Sequence, residues 1–211
     1  IADEVKKLLA AEKQNKNLPE TLKYEIIGDQ SLDIKNMVSD LENNILTSLL
    51  LVVLVLMFSM NFKNSLFVGI AIPLSMLLSF IALDFLGITL NMVVLFSLIL
   101  ALGMLVDNAI VLVENTYRYM QNGYSRIEAA IEGAKEIAMP ITASTLTTLA
   151  AFLPMIFWPG VVGDFMSYLP KTVIIVLSAS LIVALTINPA ICSKYMTVKD
   201  EQIHKDTTKT K

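Results

Sequence analysis

One cysteine, Cys192, and one histidine, His204, are all that this 211-residue chain offers of the two residue types. No internal disulfide can form, and no Cys/His metal site can be assembled. Charge is also scarce: 17% of the residues are Asp, Glu, Lys or Arg, where ordinary soluble proteins carry about 25%. The 16 Lys and Arg are outnumbered by 19 Asp and Glu, a net charge of −3, which leaves no positive excess for a nucleic-acid partner. What takes the place of charge is apolar. Hydrophobic residues make up 55% of the chain and the mean hydropathy is +0.65, a composition that points to a membrane protein.

The chain opens at Ile1 on an amphipathic polar stretch, with no start methionine, signal peptide or first membrane span in view. It therefore reads as a fragment of a longer protein. Residues 1–44 are polar. Ile1, Val5, Leu8 and Leu9 fall on one helical face, "NKNLPE" ends that helix, and "TLKYEII" (21–27) alternates like a strand that Gly28 and Asp29 turn. Ser31 or Asp33 is expected to cap a second helix, whose apolar positions Ile34, Met37, Leu41 and Ile45 run without a break into the membrane.

Five apolar segments follow, at about 45–60, 65–86, 88–115, 137–158 and 170–192, each near the roughly 20 residues that cross about 30 Å of hydrocarbon. The expected fold is an all-α polytopic membrane protein of five transmembrane helices, with a short α/β remnant at the N-terminus. In the fourth segment, hydroxyls around Pro140 and Pro154 are expected to bond backbone carbonyls while the helix bends. Residues 193–211 form a charged tail expected to be flexible, and His204 within it reads as a solvated side chain.

Positive charge sorts by connector. Lys63, then Arg118, Arg126 and Lys135, then Lys194 and the lysines of the tail fall on one side, while "DFLGITL" on the other side has no Lys or Arg. The positive-inside rule then puts the N-terminal segment outside and the tail in the cytoplasm.

The third segment, "LILALGMLVDNAIVLVEN" (98–115), carries the chemistry. Asp107 lies ten residues before Tyr117, which with Arg118 marks the interface; at 1.5 Å per residue that is about 15 Å deep, near the midplane. A carboxylate there costs on the order of 2.5–3.5 kcal/mol, so it is expected to face protein or water. Burial favours its neutral acid and a nearby cation favours its carboxylate; a group held between the two can load and release a proton. Asp107 and Glu114, with Asn108 and Asn115, make a narrow polar strip, continued by Gly103, at which a neighbouring helix could approach closely. Leu105, Ala109, Leu112 and Thr116 form the opposite, largely apolar side. Glu114 and Asn115 read as residues that cap or anchor the helix end. An intramembrane aspartyl protease needs two aspartates on facing helices, and the other candidates, Asp84 and Asp164, fall in connectors; no catalytic site is expected.

"GMLVDNAIVLVEN" (103–115) closely resembles a span signature of the resistance-nodulation-division (RND) superfamily of proton-driven efflux pumps, G-x-x-V-D-[DN]-A-I-V-V-V-E-N. "FKNSLFVGIAIPLSMLLSF" (62–80), "TTLAAFLPMIFWPGVVG" (147–163) and "SLIVALTINPAIC" (180–192) continue the resemblance in order. It implies that residues 1–44 end a periplasmic porter subdomain and that the five segments are spans two to six of a twelve-span fold. It also implies an inner-membrane homotrimer that works with a periplasmic adaptor and an outer-membrane channel. Asp107 would be the proton-coupling carboxylate, paired with a lysine from a span in the second half, and the proton-motive force would replace any cofactor. Asn108 stands where some members carry a second aspartate, so the load falls on Asp107. The alternative within the same resemblance is a relative that couples proton flow to protein or lipid translocation, or a fragment in which the aspartate is structural.

Overall fold

The computed structural model describes residues 2–15, 29–60 and 62–197. The strand expected at 21–27 and residues 198–211 of the expected tail, His204 included, lie outside the described residues, and no strand occurs among those described; the tail expected from residue 193 is corrected at its start, where 193–195 end a helix. The helices are α1 (Ala2–Gln14), α2 (Ser31–Ser59), α3 (Phe62–Phe85), α4 (Met92–Gln121), α5 (Arg126–Phe152), α6 (Val161–Met166), α7 (Tyr168–Ile182) and α8 (Asn188–Tyr195). A 3-10 turn, Leu153–Phe157, extends α5, and a π-helical turn, Val183–Ile187, joins α7 to α8. Among the described residues, five stretches are long and apolar enough to cross a membrane: Ser31–Phe58, Phe62–Phe85, Met92–Gln121, Arg126–Phe157 and Val161–Tyr195.

These helices run past the apolar segments at several ends because polar residues continue the helical pattern into water. α2 is one unbroken helix from the polar segment into the membrane stretch, about 43 Å long at 1.5 Å per residue. Its start differs from the expected cap. Neither Ser31 nor Asp33 caps it, since Ser31 is already helical; instead Asp29 Oδ1 accepts from Ser31 N at 3.1 Å. Asp29 also pairs with Lys6, and Lys35 with Asp3 at 3.1 Å, which ties α1 to the head of α2. The Lys6 ammonium holds the Asp29 carboxyl well below its ordinary range.

α4 is the central helix. Leu95, Leu98, Leu105 and Leu112 are fully buried against Val68, Ile72 and Met76 of α3 and Val173, Val176 and Leu177 of α7. Lipid is as apolar as leucine, so close packing rather than the hydrophobic effect must hold such helices together. Small residues supply it. A Cβ on Gly69 would stand 2.9 Å from Val53 Cγ2 of α2, and one on Gly133 would stand 3.1 Å from Thr116 Cα of α4. The outer surface is correspondingly apolar, with Leu50, Phe58, Leu77, Ile81, Leu146 and Phe157 all exposed.

Hydroxyls in α5 mostly bond within their own helix: Thr142, Thr147 and Thr148 donate to the carbonyls of Ala138, Ala143 and Ser144. The carbonyl that Pro140 frees, at Glu136, is not the one that Thr142 takes. The π turn precedes Pro189, whose missing N–H and bulky ring disrupt regular α-helical bonding; the Asn188 N–H reaches back five residues to Val183 O.

Connector ends gather at one end of the bundle. Met60, Arg118, Gln121 and Glu136 line one cavity there. Asn64 adds a clasp, its Nδ2 donating to Thr197 O at 2.7 Å while its Oδ1 accepts from Thr197 N at 3.2 Å. The start of α3, the C-terminal end of α4 and the chain just after α8 thus share one end.

Candidate functional site on the central helix

α4 is fixed at both ends by its sequence. The Asn91 side chain accepts from Val93 N at 2.9 Å and Val94 N at 3.0 Å, satisfying N–H groups that the first turn leaves free. Beyond Gln121, Gly123 at φ +91° turns the chain into α5. Ser125 and Glu128 then form a reciprocal capping box, whose signal is the S-x-x-E spacing in "SRIE". Between these ends, Asp107 has fifteen helical residues before it and fourteen after it, so it sits at the middle of a helix about 45 Å long.

The apolar side of α4 is the side the rest of the chain covers. Leu105, Ala109, Leu112 and Thr116 are all buried. Phe96, Leu100, Gly103, Asp107, Val111, Glu114 and Arg118 instead form an exposed stripe along its length. Among the described residues Asp107, Glu114 and Gly103 lie on the uncovered face of α4, while its leucine side packs against α3 and α7. Nothing comes within 4 Å of a Cβ built on Gly103. The close approach that Gly103 permits is therefore open to a helix from beyond the described residues, while Gly69 and Gly133 make the close approaches seen here.

Asn108 and Asn115, one step around the helix, turn toward α5. Asn108 Nδ2 donates to Thr145 Oγ1 at 3.3 Å. Asn115 Nδ2 donates to Gly133 O and to Glu136 Oε2, both at 2.9 Å, and Arg118 pairs with the same Glu136 oxygen at 3.2 Å. Asn115 is thus a buried bridge between two helices, and the reading of it as a helix-end anchor is corrected: α4 continues for six residues beyond it, to Gln121. On the third side, Ser180 Oγ of α7 donates to Leu105 O at 3.0 Å, two residues before Asp107. Three neighbouring contacts hold the helix while leaving the carboxylate unencumbered.

Two hollows flank that carboxylate. A groove of about 360 Å³ runs between α2 and α4, lined by Thr47, Ser48, Leu51, Val55, Gly103 and Asp107 among others. A smaller cavity of about 140 Å³ lies on the α5 side, lined by Asp107, Asn108, Ser144, Thr145 and Thr148, with Met104 and Leu177. Neither is lined by another charged side chain. Asp84, at the end of α3, and Asp164, in α6, line neither, and among the described residues no group of three or more His, Cys, Asp or Glu could hold a metal ion. The hydroxyl residues were visible in the sequence. Which of them turned toward Asp107 was not, since that depends on the rotation of α5 that the Asn108 and Asn115 bonds set.

A site of this kind can exchange a small cation or a proton at a single carboxylate and can accept a further helix along the stripe. Compared with known protein families, residues 1–210 match the AcrB/AcrD/AcrF family. With its five membrane-crossing helices, the chain is a multi-pass membrane protein that belongs to the AcrB/AcrD/AcrF family of RND transporters.

Proposed function

We propose that this chain is the proton-coupling part of an efflux transporter, with Asp107 as the carboxylate that loads and releases the proton. The observation that carries the reading is the position of Asp107: mid-helix, on the uncovered face of α4, between two hollows, with no other charged side chain lining either. A carboxylate at that depth is costly unless a cation or a proton joins it. The missing cation belongs to a lysine-bearing span in a second half of the protein, docked on the Gly103–Asp107 stripe. A proton crossing the membrane there releases about 2.3 kcal/mol per 100 mV, and alternating protonation drives the porter region through its cycle.

In this reading the N-terminal segment faces the periplasm and the basic connector end faces the cytoplasm, in the bacterial inner membrane. Three copies assemble with a periplasmic adaptor and an outer-membrane channel. The cargo is a drug, another amphiphile or a metal ion, and the protein moves it without making or breaking covalent bonds. In the full-length transporter, Asp107→Asn is expected to abolish efflux while membrane insertion and assembly remain intact. Wild-type efflux by that variant would refute the proton role.

A further inference from the structure

The groove on the α2 side and the cavity on the α5 side of Asp107 differ in chemistry. The groove is mostly Leu and Val. The cavity sets one carboxylate beside an amide and three hydroxyls, from Asn108, Ser144, Thr145 and Thr148. We propose that this cavity between α4 and α5 is a binding site for Na⁺, ligated by the Asp107 carboxylate together with the side-chain oxygens of Asn108, Thr145 and Thr148. The proposal rests on the reading of Asp107 as the coupling carboxylate and names a second ion that competes for it.

The donor set argues for a hard monovalent cation. Hard cations take oxygen ligands, whereas softer metals call for His or Cys, and no such cluster exists among the described residues. Net charge sets the valence. In the state in which the lysine of the second half has drawn away from it, Asp107 contributes −1, and no other charged side chain of this chain lines the cavity. A second carboxylate at position 108 would double the negative charge; the amide supplies a neutral oxygen and leaves one charge to be balanced.

The hydrogen bonds free the oxygens to face a cation. Asn108 commits its Nδ2 to Thr145 Oγ1 at 3.3 Å, so its Oδ1 remains an acceptor. Thr148 commits its hydroxyl hydrogen to Ser144 O at 3.1 Å, so its oxygen has only lone pairs left to present. Thr145, 5% exposed, spends one lone pair on the Asn108 Nδ2–H and has the other to present to a cation. The volume of about 140 Å³ is several times the roughly 10–15 Å³ that admits one water, which leaves room for an ion that keeps part of its hydration.

The test is equilibrium binding of ²²Na⁺ to the purified full-length transporter in detergent, alongside infrared detection of the protonated Asp107 carboxyl band, assigned by its loss in Asp107→Asn. The expected result is saturable binding that disappears in Asp107→Asn and weakens about tenfold, about 1.4 kcal/mol, in Thr145→Val and in Thr148→Val. Thr148→Ser, which keeps the hydroxyl, should retain binding, so a folding defect at that position would not pass for a lost ligand. Na⁺ should also displace the protonated carboxyl band. No saturable ²²Na⁺ binding, or binding that survives Asp107→Asn, overturns the proposal. A carboxyl band that titrates but ignores Na⁺ overturns it too and leaves the proton site standing. With neither Na⁺ binding nor a titrating band, the coupling role of Asp107 falls as well.

Discussion

Replacing Gly133 by alanine tests the close packing of α4 on α5. A Cβ at this position would stand 3.1 Å from Thr116 Cα, 3.2 Å from Thr116 N and 3.3 Å from Thr116 Oγ1. Carbon atoms prefer about 3.5–4.0 Å, and a neighbour that is backbone cannot swing aside. Overpacking of this kind costs about 1–3 kcal/mol, against a gain of about 1 kcal/mol in helix propensity from Gly to Ala. The displaced helices would also strain the bond from Asn115 to Gly133 O, worth about 0.6 kcal/mol in a membrane protein. The net expectation is a loss of about 1–2 kcal/mol. Reversible unfolding in mixed detergent micelles, followed by circular dichroism, measures the loss against wild type. If Gly133→Ala proves as stable as wild type or more stable, the helix contact is not as close as described. The same shift would move Ser144, Thr145 and Thr148 relative to Asp107, so transport should fall with stability.

Ser180→Ala removes the bond to Leu105 O and should cost about 0.6 kcal/mol, at most about 1.7, in the same unfolding assay; an unchanged midpoint would mean that α7 is not anchored to α4 there. The attachment of α1 to α2 should depend on pH in one direction. Lys6 depresses the Asp29 carboxyl and Lys35 depresses that of Asp3, so these pairs contribute fully above the unfolded carboxylate value near pH 4 and are lost only as pH falls below it, through the depressed values. Spin-label distances between α1 and the head of α2 should hold from neutral pH to about pH 4 and lengthen in stronger acid. Separation already at neutral pH would contradict the pairing.

The membrane-crossing helices were legible in the sequence because hydropathy is a property of each segment alone. The seven-residue spacings of Asp107 with Glu114 and of Asn108 with Asn115 report faces of one helix, but the structure divides the expected strip, leaving the first pair uncovered and bonding the second to α5. What such periodicity omits is which face the neighbours cover. The leucine side of α4 proved to be the packed side, and Asp107 was left outside. Glycines read alike in a sequence, yet Gly133 sits against backbone and Gly103 against open space. Asn115 looked like a helix end because its partners, Gly133 and Glu136, lie on another helix, reached only after a turn. The cap of α2 falls at Gln30, one residue before Ser31 and three before Asp33, and Asp29 accepts from the Ser31 N–H just inside it.

The clasp between Asn64 and Thr197 has a consequence in polymer terms. It joins positions 133 residues apart, a closure whose entropy cost grows only with the logarithm of the length between them, so two hydrogen bonds and the packing of α3 on α7 and α8 suffice to shut it. α3 through α8 then behave as a ring, with α2 attached outside it. Moving the first turn of α3 drags the chain that follows α8, although nearly two-thirds of the sequence separates them. α2, excluded from the ring, is the membrane helix whose position beside Asp107 can change without opening that closure.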